Sequence, residues 1–118
     1  MGTVSLSAAD FADTVLAGGI VLVDFWAARR AASRAFAPVL EAAARQHPDV
    51  VFARVDADAD PDLPVAVGVR SIPTLMVFRD GVLVFAEPGV LPPDSVELLI
   101  STVRALDMAA VRELFPGR

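Results

Sequence analysis

Runs of apolar residues along the chain predict four β-strands. Ile20–Trp26 is apolar except for one aspartate, and such a run predicts a strand buried on both faces at the centre of a sheet. Val50–Asp56 predicts a second strand. Thr74–Phe78 and Val82–Ala86 predict two more, and the Asp-Gly dipeptide within Arg79–Gly81 favours a tight antiparallel hairpin between them.

Segments with helical composition or spacing lie between and after these strands. A first predicted helix ends at Gly18–Gly19, and Arg29–Gln46 is rich in strong helix formers. We expect Pro38 to kink this second helix because proline removes a backbone donor. A short helix ends near Val67–Gly68, and Pro92–Asp94 opens a last one.

The order of these elements predicts the fold class. Strands that alternate with helices, followed by a hairpin and a helix, indicate an α/β protein with a mixed sheet. The chain has 118 residues, 55% of them hydrophobic, which supports one globular domain over residues 1–118. Residues 107–118 are expected to extend the last helix or to follow it as a tail, with apolar positions at Met108, Val111, Leu114 and Phe115.

Charge and apolar run length argue against two classes of partner. All ten basic residues are arginine and fifteen residues are acidic, so the net charge of -5 disfavours nucleic acid. The longest apolar run, residues 15–23, is less than half of the roughly 20 residues that a membrane-spanning helix needs. The first seven residues lack the basic segment of a secretory signal, so we expect a cytoplasmic location and no membrane partner.

The chain contains no cysteine. Because the thiolate is the sulfur nucleophile and metal ligand of proteins, thiol catalysis, disulfide cross-links and thiolate metal sites are excluded. The alternating aspartates of Asp56–Asp62 do not make a calcium loop, since Pro61 takes its glycine position and Val67 its final glutamate position. We expect a solvated turn and helix cap there, no metal, and a surface turn at His47.

Several short motifs resemble the thioredoxin family in order and spacing, over about residues 5–106 of the chain. They are Val23–Ala27, Ala37–Pro38, Val55–Asp56, Gly68–Thr74 and Phe78–Gly81. The resemblance implies the thioredoxin fold, here a central mixed sheet of about five strands flanked by about four helices. In this family the Phe-Trp-Ala motif leads to Trp-Cys-Gly-Pro-Cys, whereas the same positions here read Arg29, Arg30, Ala31, Ala32 and Ser33.

Arg30 and Ser33 therefore stand where the family has its two redox cysteines. Disulfide exchange needs a thiolate at a helix N-terminus and a second thiol one turn later. Arg30 has no accessible lone pair, and Ser33 would need a base, while the one histidine, His47, lies at the far end of the same predicted helix. We interpret Ser33 as structural and expect neither a catalytic residue nor a cofactor.

The resemblance also implies a polypeptide-binding groove beside the former redox site. In the family, the loop matched by Ser71–Pro73 has a cis peptide bond before proline and offers backbone groups to an extended polypeptide. Gly89 matches a glycine that lines this groove. Because turns alone require Pro and Gly, a purely structural role for both is equally open. The groove residues expected here are Trp26, Arg30, Ser71, Ile72, Pro73 and Gly89.

Arg29 and Arg30 lie near a predicted helix start, where the macrodipole favours negative charge. Together with the free backbone N–H groups they could bind an anion or a partner's carboxylate. We favour the simpler interpretation that both side chains extend into water, because exposed charges contribute little to stability.

Asp24 interrupts the apolar central strand and matches the family's buried aspartate, which assists proton transfer to the second cysteine. A buried carboxylate is costly without a partner. Arg54, on the neighbouring predicted strand, matches the lysine that pairs with this aspartate. We therefore expect a buried Asp24–Arg54 ion pair and no catalysis by Asp24.

These observations favour a redox-inactive thioredoxin-like protein that binds or scaffolds a polypeptide. One alternative is a thioredoxin assigned by homology as a protein-disulfide oxidoreductase, or a variant of one with replaced cysteines, although the further Trp-to-Arg and Gly-Pro-to-Ala-Ala changes argue against deliberate replacement. Another is a homodimer closed by an apolar surface beside the former redox site, formed by Trp26, Ala31, Ala32, Ile72 and Val90.

Overall fold

The computed structural model describes residues 2–114, which form a central five-stranded sheet flanked by helices. The strand order is β1-β3-β2-β4-β5, with β1, β3 and β2 parallel and with β4 and β5 antiparallel to their neighbours. The strands are β1 (Val4–Ser5), β2 (Ile20–Trp26), β3 (Val51–Asp56), β4 (Thr74–Arg79) and β5 (Val82–Pro88). The predicted α/β class with a mixed sheet is confirmed.

Five helices connect or follow the strands within the described residues. They are α1 (Ala8–Leu16), α2 (Ala31–Gln46), α3 (Asp62–Ala66), α4 (Pro93–Arg104) and α5 (Met108–Glu113). The predicted C-terminal extension is thus a separate short helix, whose start is capped by the carboxylate of Asp107. Phe115, the last apolar position of that prediction, lies outside the described residues. No helix between residues 2 and 114 is long and apolar enough to cross a membrane.

The central strand β2 is buried on both faces, as its apolar run predicts. Ile20 and Leu22 belong to a cluster that includes residues of α2 and α4. Val21, Val23 and Phe25 alternate with them and belong to a second cluster that includes residues of α1. This alternation is the period of a β-strand, and it explains why almost every residue of β2 is apolar.

The structure differs from the sequence prediction by one additional strand and at several element boundaries. β3 begins one residue later than predicted, at Val51, and β4 and β5 extend further than predicted, to Arg79 and Pro88. The four predicted strands did not include β1, in which Val4 pairs with Ala53 and only two residues take part. The second helix begins at Ala31 rather than Arg29, because Arg30 has the extended backbone of an N-cap residue (φ -96°, ψ 120°). The helix then continues through Pro38.

Candidate functional site

Four strand ends meet at one edge of the sheet, and the predicted site residues lie there. Phe25 near the end of β2 pairs with Thr74 at the start of β4. Trp26 pairs with Asp56, the last residue of β3, and Thr74 pairs with Pro88, the last residue of β5. In α/β proteins, ligand sites usually form outside the carboxyl ends of parallel strands, which here are the ends of β2 and β3.

Hydrogen bonds fix the turn between β2 and α2. The N–H of Arg30 donates to the carbonyl of Ala27 at 3.0 Å, and the N–H of Ala27 donates to the Oγ of Ser33 at 3.3 Å. Nη1 of Arg34 donates to the carbonyl of Ala28 at 2.7 Å. Because Ser33 is fully buried, its hydroxyl braces the turn and is closed to a ligand.

Arg29 and Arg30 have different surroundings. Nε of Arg29 donates to a carboxylate oxygen of Asp58 at 3.2 Å, and both side chains are about half exposed. Arg30 is exposed and forms no side-chain hydrogen bond or ion pair with residues 2–114. The expectation that both side chains extend freely into water therefore describes Arg30, whereas Arg29 is held by an exposed ion pair.

Asp24 and Arg54 form the expected contact between paired positions of β2 and β3. Asp24 is wholly buried, and Nε of Arg54 donates to its Oδ2 at 3.1 Å. Its other carboxylate oxygen has no hydrogen-bond partner in the described part of the chain. Burial raises the pKa of Asp24 to about 6, while the charge and the hydrogen bond of Arg54 oppose this rise.

Arg54 also contacts Trp26. Its Cζ lies 4.4 Å from the centroid of the Trp26 ring, which is within the range of a cation–π interaction. Arg54 therefore links the buried carboxylate of Asp24 to the partly buried indole at the edge of the site.

The loop Ser71–Pro73 borders the same edge, directly before β4. The Ile72–Pro73 peptide bond is cis, and the carbonyl of Pro73 accepts a hydrogen bond from the N–H of Gly89 at 2.8 Å. Gly89 has a φ of +95°, a region that glycine adopts without strain. The backbone N–H and C=O of Ile72 form no hydrogen bond with another residue in the described range.

The predicted apolar surface beside this loop keeps part of its area open. Trp26 and Ile72 are partly buried, and Ala31, Ala32 and Val90 are exposed. The Gly89–Pro73 hydrogen bond holds the residue that precedes Val90 against the loop, so Val90 lies near this edge of the sheet.

The acidic segment that follows β3 forms a turn stabilised by the side chain of Asp56. One oxygen of Asp56 accepts hydrogen bonds from the N–H groups of Asp58 and Ala59, at 2.9 and 3.2 Å. This is the turn that the sequence predicts for these aspartates. The predicted helix cap was wrong, because the residue before α3 is Pro61, which has no side chain that can cap the helix. Among the described residues, no group of three or more potential ligands could hold a metal ion.

Sequence reasoning missed a polar network at the other end of α2. The predicted turn at His47 is present, since the carbonyl of His47 accepts a hydrogen bond from the N–H of Val50 at 3.0 Å, but the His47 side chain is partly buried in this network. Nε2 of His47 lies 2.8 Å from Glu97, and its Nδ1 lies 3.1 Å from Nη2 of Arg104. Arg104 also donates to both carboxylate oxygens of Asp49. Glu97 and Arg104 are 50 and 57 residues away from His47 in sequence, so no local pattern signals these contacts.

Comparison with known proteins gives concordant similarities. The family model described as Thioredoxin matches residues 2–102. "Putative thioredoxin 2" of Streptomyces coelicolor is 46% identical over 111 residues, covering 94% of this chain and 83% of that protein. "Thioredoxin" of Chlamydia muridarum is 44% identical over 92 residues, 78% of this chain and 89% of that one. A solved mutant thioredoxin from Halobacterium salinarum NRC-1 superimposes with a TM-score of 0.80 at 31% identity, covering 88% of this chain and 91% of that one.

Proposed function

This chain belongs to the thioredoxin family, and we propose that it is a redox-inactive member that binds an extended polypeptide at the former redox site. One observation carries the binding part of this proposal: the N–H and C=O of Ile72 have no partner among residues 2–114, although they lie where four strand ends meet. We also propose a cytoplasmic location.

The absence of redox activity follows from the side chains at the start of α2. Disulfide exchange needs two thiols, and none of the 118 residues is a cysteine. Arg30 replaces the attacking thiol with a permanent cation. Ser33 replaces the second thiol with a buried hydroxyl that accepts a hydrogen bond from Ala27. Without a thiolate, no electrons can pass to a disulfide substrate.

The free backbone of Ile72 favours a polypeptide as the ligand. An extended segment laid along the loop would donate one hydrogen bond to the C=O of Ile72 and accept one from its N–H, which is β-strand addition on the scale of a single residue. Two such bonds contribute about 0.5–1.5 kcal/mol each. Apolar contacts with Trp26, Ile72 and Val90 would have to supply most of the remaining affinity.

The openness of the site also favours an extended chain over a small molecule. Arg30, Ala31, Ala32, Ser71 and Gly89 are all exposed. Two clefts of the protein, of about 210 and 320 Å³, lie elsewhere, one between α2 and α4 and one beside the start of β2. Small-molecule sites are usually concave and enclosing, whereas strand addition needs only an accessible edge.

The proposal is tested by titrating the protein with a short capped peptide that alternates glutamine and valine, followed by the fluorescence of Trp26, the single tryptophan. Val90→Glu should weaken binding because it places a charge beside Ile72. Leu83→Glu is the matched control: Leu83 and Val90 are 42% and 43% exposed, and Leu83 lies about 20 Å away along β5. Equal affinity of both variants and the wild type would refute binding at this site.

Two other candidate functions predict different results. A protein-disulfide oxidoreductase, which the names of the relatives favour, would reduce insulin with dithiothreitol as the electron donor. A homodimer closed by the same apolar surface would show a concentration-dependent mass in light scattering, and the Val90→Glu variant would be a monomer.

A further inference from the structure

We propose that the polypeptide taken by this site is acidic, and that its carboxylates pair with Arg30 and Arg70 on either side of Ile72. This inference rests on the proposed function, which it narrows to one class of ligand. Two observations support it: Arg30 and Arg70 have no ion-pair partner among residues 2–114, and the register of β2 and β4 places them at one edge of the sheet.

Arg30 and Arg70 leave the sheet at the same edge. Phe25 pairs with Thr74 in the antiparallel register of β2 and β4. Residues that follow β2 and residues that precede β4 therefore emerge side by side. Arg30 lies four residues beyond the end of β2, and Arg70 lies four residues before the start of β4 and two before Ile72.

Unlike most of the described arginines, these two side chains have no hydrogen-bond or ion-pair partner among residues 2–114. Nine arginines lie within residues 2–114, and six of them form hydrogen bonds or ion pairs: Arg29, Arg34, Arg54, Arg79, Arg104 and Arg112. The three exposed arginines without such a contact in this range are Arg30, Arg45 and Arg70. Two of these three therefore lie at the edge of the sheet that carries Ile72, in a protein with a net charge of -5.

No acidic residue within residues 2–114 forms an ion pair with Arg30 or Arg70. The first turn of α2 contains no acidic residue. Asp58 is paired with Arg29, and Asp24 is buried against Arg54. Two guanidinium groups and the N–H and C=O of Ile72, all without a partner among residues 2–114, give the site donors for side-chain carboxylates and a donor and an acceptor for a main chain.

The site offers both apolar side chains and guanidinium groups, which an extended ligand with alternating apolar and acidic residues could contact. Successive side chains of a strand point to opposite faces, so every second residue can face the protein. Residues on one face would contact Trp26 and Val90, and acidic residues at the flanks would reach Arg30 or Arg70. Exposed guanidinium–carboxylate pairs contribute little individually and are screened by salt, so we expect a modest and salt-sensitive preference.

The test compares two capped peptides that differ only in charge, one alternating glutamate with valine and one alternating glutamine with valine. Their dissociation constants are measured at low salt and at pH 7.5 with the full chain and with Arg30→Gln, Arg70→Gln and Arg45→Gln. Arg45 is the matched control, an unpaired exposed arginine in the last turn of α2, about 22 Å along the helix from Arg30.

We expect the glutamate peptide to bind about 10-fold more tightly than the glutamine peptide, with each of the two site variants losing about threefold to fivefold of that preference. Arg45→Gln should lose none, and added salt should remove the preference. If both peptides bind equally, or if Arg45→Gln loses as much as the site variants, the acidic preference is refuted while the proposed function stands. If neither peptide binds, the proposed function is refuted and this inference with it.

Discussion

Nε of Arg54 donates a hydrogen bond to Oδ2 of Asp24 at 3.1 Å, and the same guanidinium lies over the ring of Trp26. The wholly buried carboxylate leaves its second oxygen without a partner in the described part of the chain. In a protein without thiols, this arrangement has no proton to deliver to a cysteine. The arrangement should instead affect the pH dependence of the unfolding free energy and the fluorescence of Trp26.

Asp24 should make the protein less stable at neutral pH than at mildly acidic pH. Burial raises the pKa of Asp24 from its ordinary value of 3.8 to about 6. The native state therefore holds this proton more tightly than the unfolded chain, so the stability it confers is complete below about pH 4 and is lost as pH rises to about 6. The loss is about 3 kcal/mol. In urea unfolding, Asp24→Asn should remove most of this change, and a persisting decrease would contradict the assignment.

Arg54→Met should destabilise the wild-type protein at pH 7 because it leaves a charged carboxylate buried without a partner. The expected cost is about 3 kcal/mol. The same substitution should cost much less in the Asp24→Asn background, where no charge needs compensation. A double-mutant cycle of unfolding free energies measures this difference, and additive effects would show that the pair is not coupled.

Trp26 should report the protonation of Asp24. When Asp24 gains a proton, its ion pair with Arg54 weakens and the guanidinium 4.4 Å from the Trp26 ring is released from its anchor. The emission of this single tryptophan should therefore change with a midpoint near pH 6. Asp24→Asn should abolish the transition, and a transition that persists in this variant would point to another group.

Arg79 should stabilise the end of α4. Its Nη1 donates to the carbonyls of Val103, Arg104 and Leu106, which lie at or just beyond the last turn of that helix. Arg79→Met should lower the unfolding free energy by about 1–3 kcal/mol. Arg45→Met, which removes an arginine without a hydrogen bond or ion pair to residues 2–114, is the control and should have little effect on the unfolding free energy; equal losses would contradict a capping role.

Insulin reduction with dithiothreitol as donor should not be accelerated by this protein, because it lacks both thiols. The double variant Arg30→Cys, Ser33→Cys places two thiols one turn apart at the start of α2 and should gain activity. Activity in the purified wild type would contradict the account. Inactivity of the double variant would show that loss of the cysteines is not the only barrier.

The sequence predicted those parts of the fold that rest on local patterns. The continuous apolar run of β2 and the Asp-Gly turn before β5 each carry their own signal. β1 was missed because Val4 and Ser5 are too few to show a period, and their pairing with β3 is a long-range contact. The start of α2 was placed two residues early, since Arg29 and Arg30 are good helix formers and no Ser, Thr, Asp or Asn marks the cap.

In the candidate site too, local sequence patterns were predictable and long-range contacts were not. Asp24 was recognisable as a charge within an apolar strand, and Arg54 as its partner on the next strand through the family resemblance. The network of His47 with Glu97 and Arg104 and the contacts of Arg79 with the end of α4 join residues far apart in sequence. The free backbone groups of the Ser71–Pro73 loop were implied only by the family resemblance, because the hydrogen bonding of a loop depends on which other segments fold against it.

Hydrogen exchange of the Ile72 amide tests the central claim most directly, measured by NMR with and without a saturating amount of the capped glutamine–valine peptide. The account predicts that this amide, which has no partner among residues 2–114, exchanges markedly more slowly in the complex. The amide of Gly89, already bonded to Pro73, should change little. If the peptide binds while exchange at Ile72 stays unchanged and protection arises on another surface, the polypeptide does not bind where we propose.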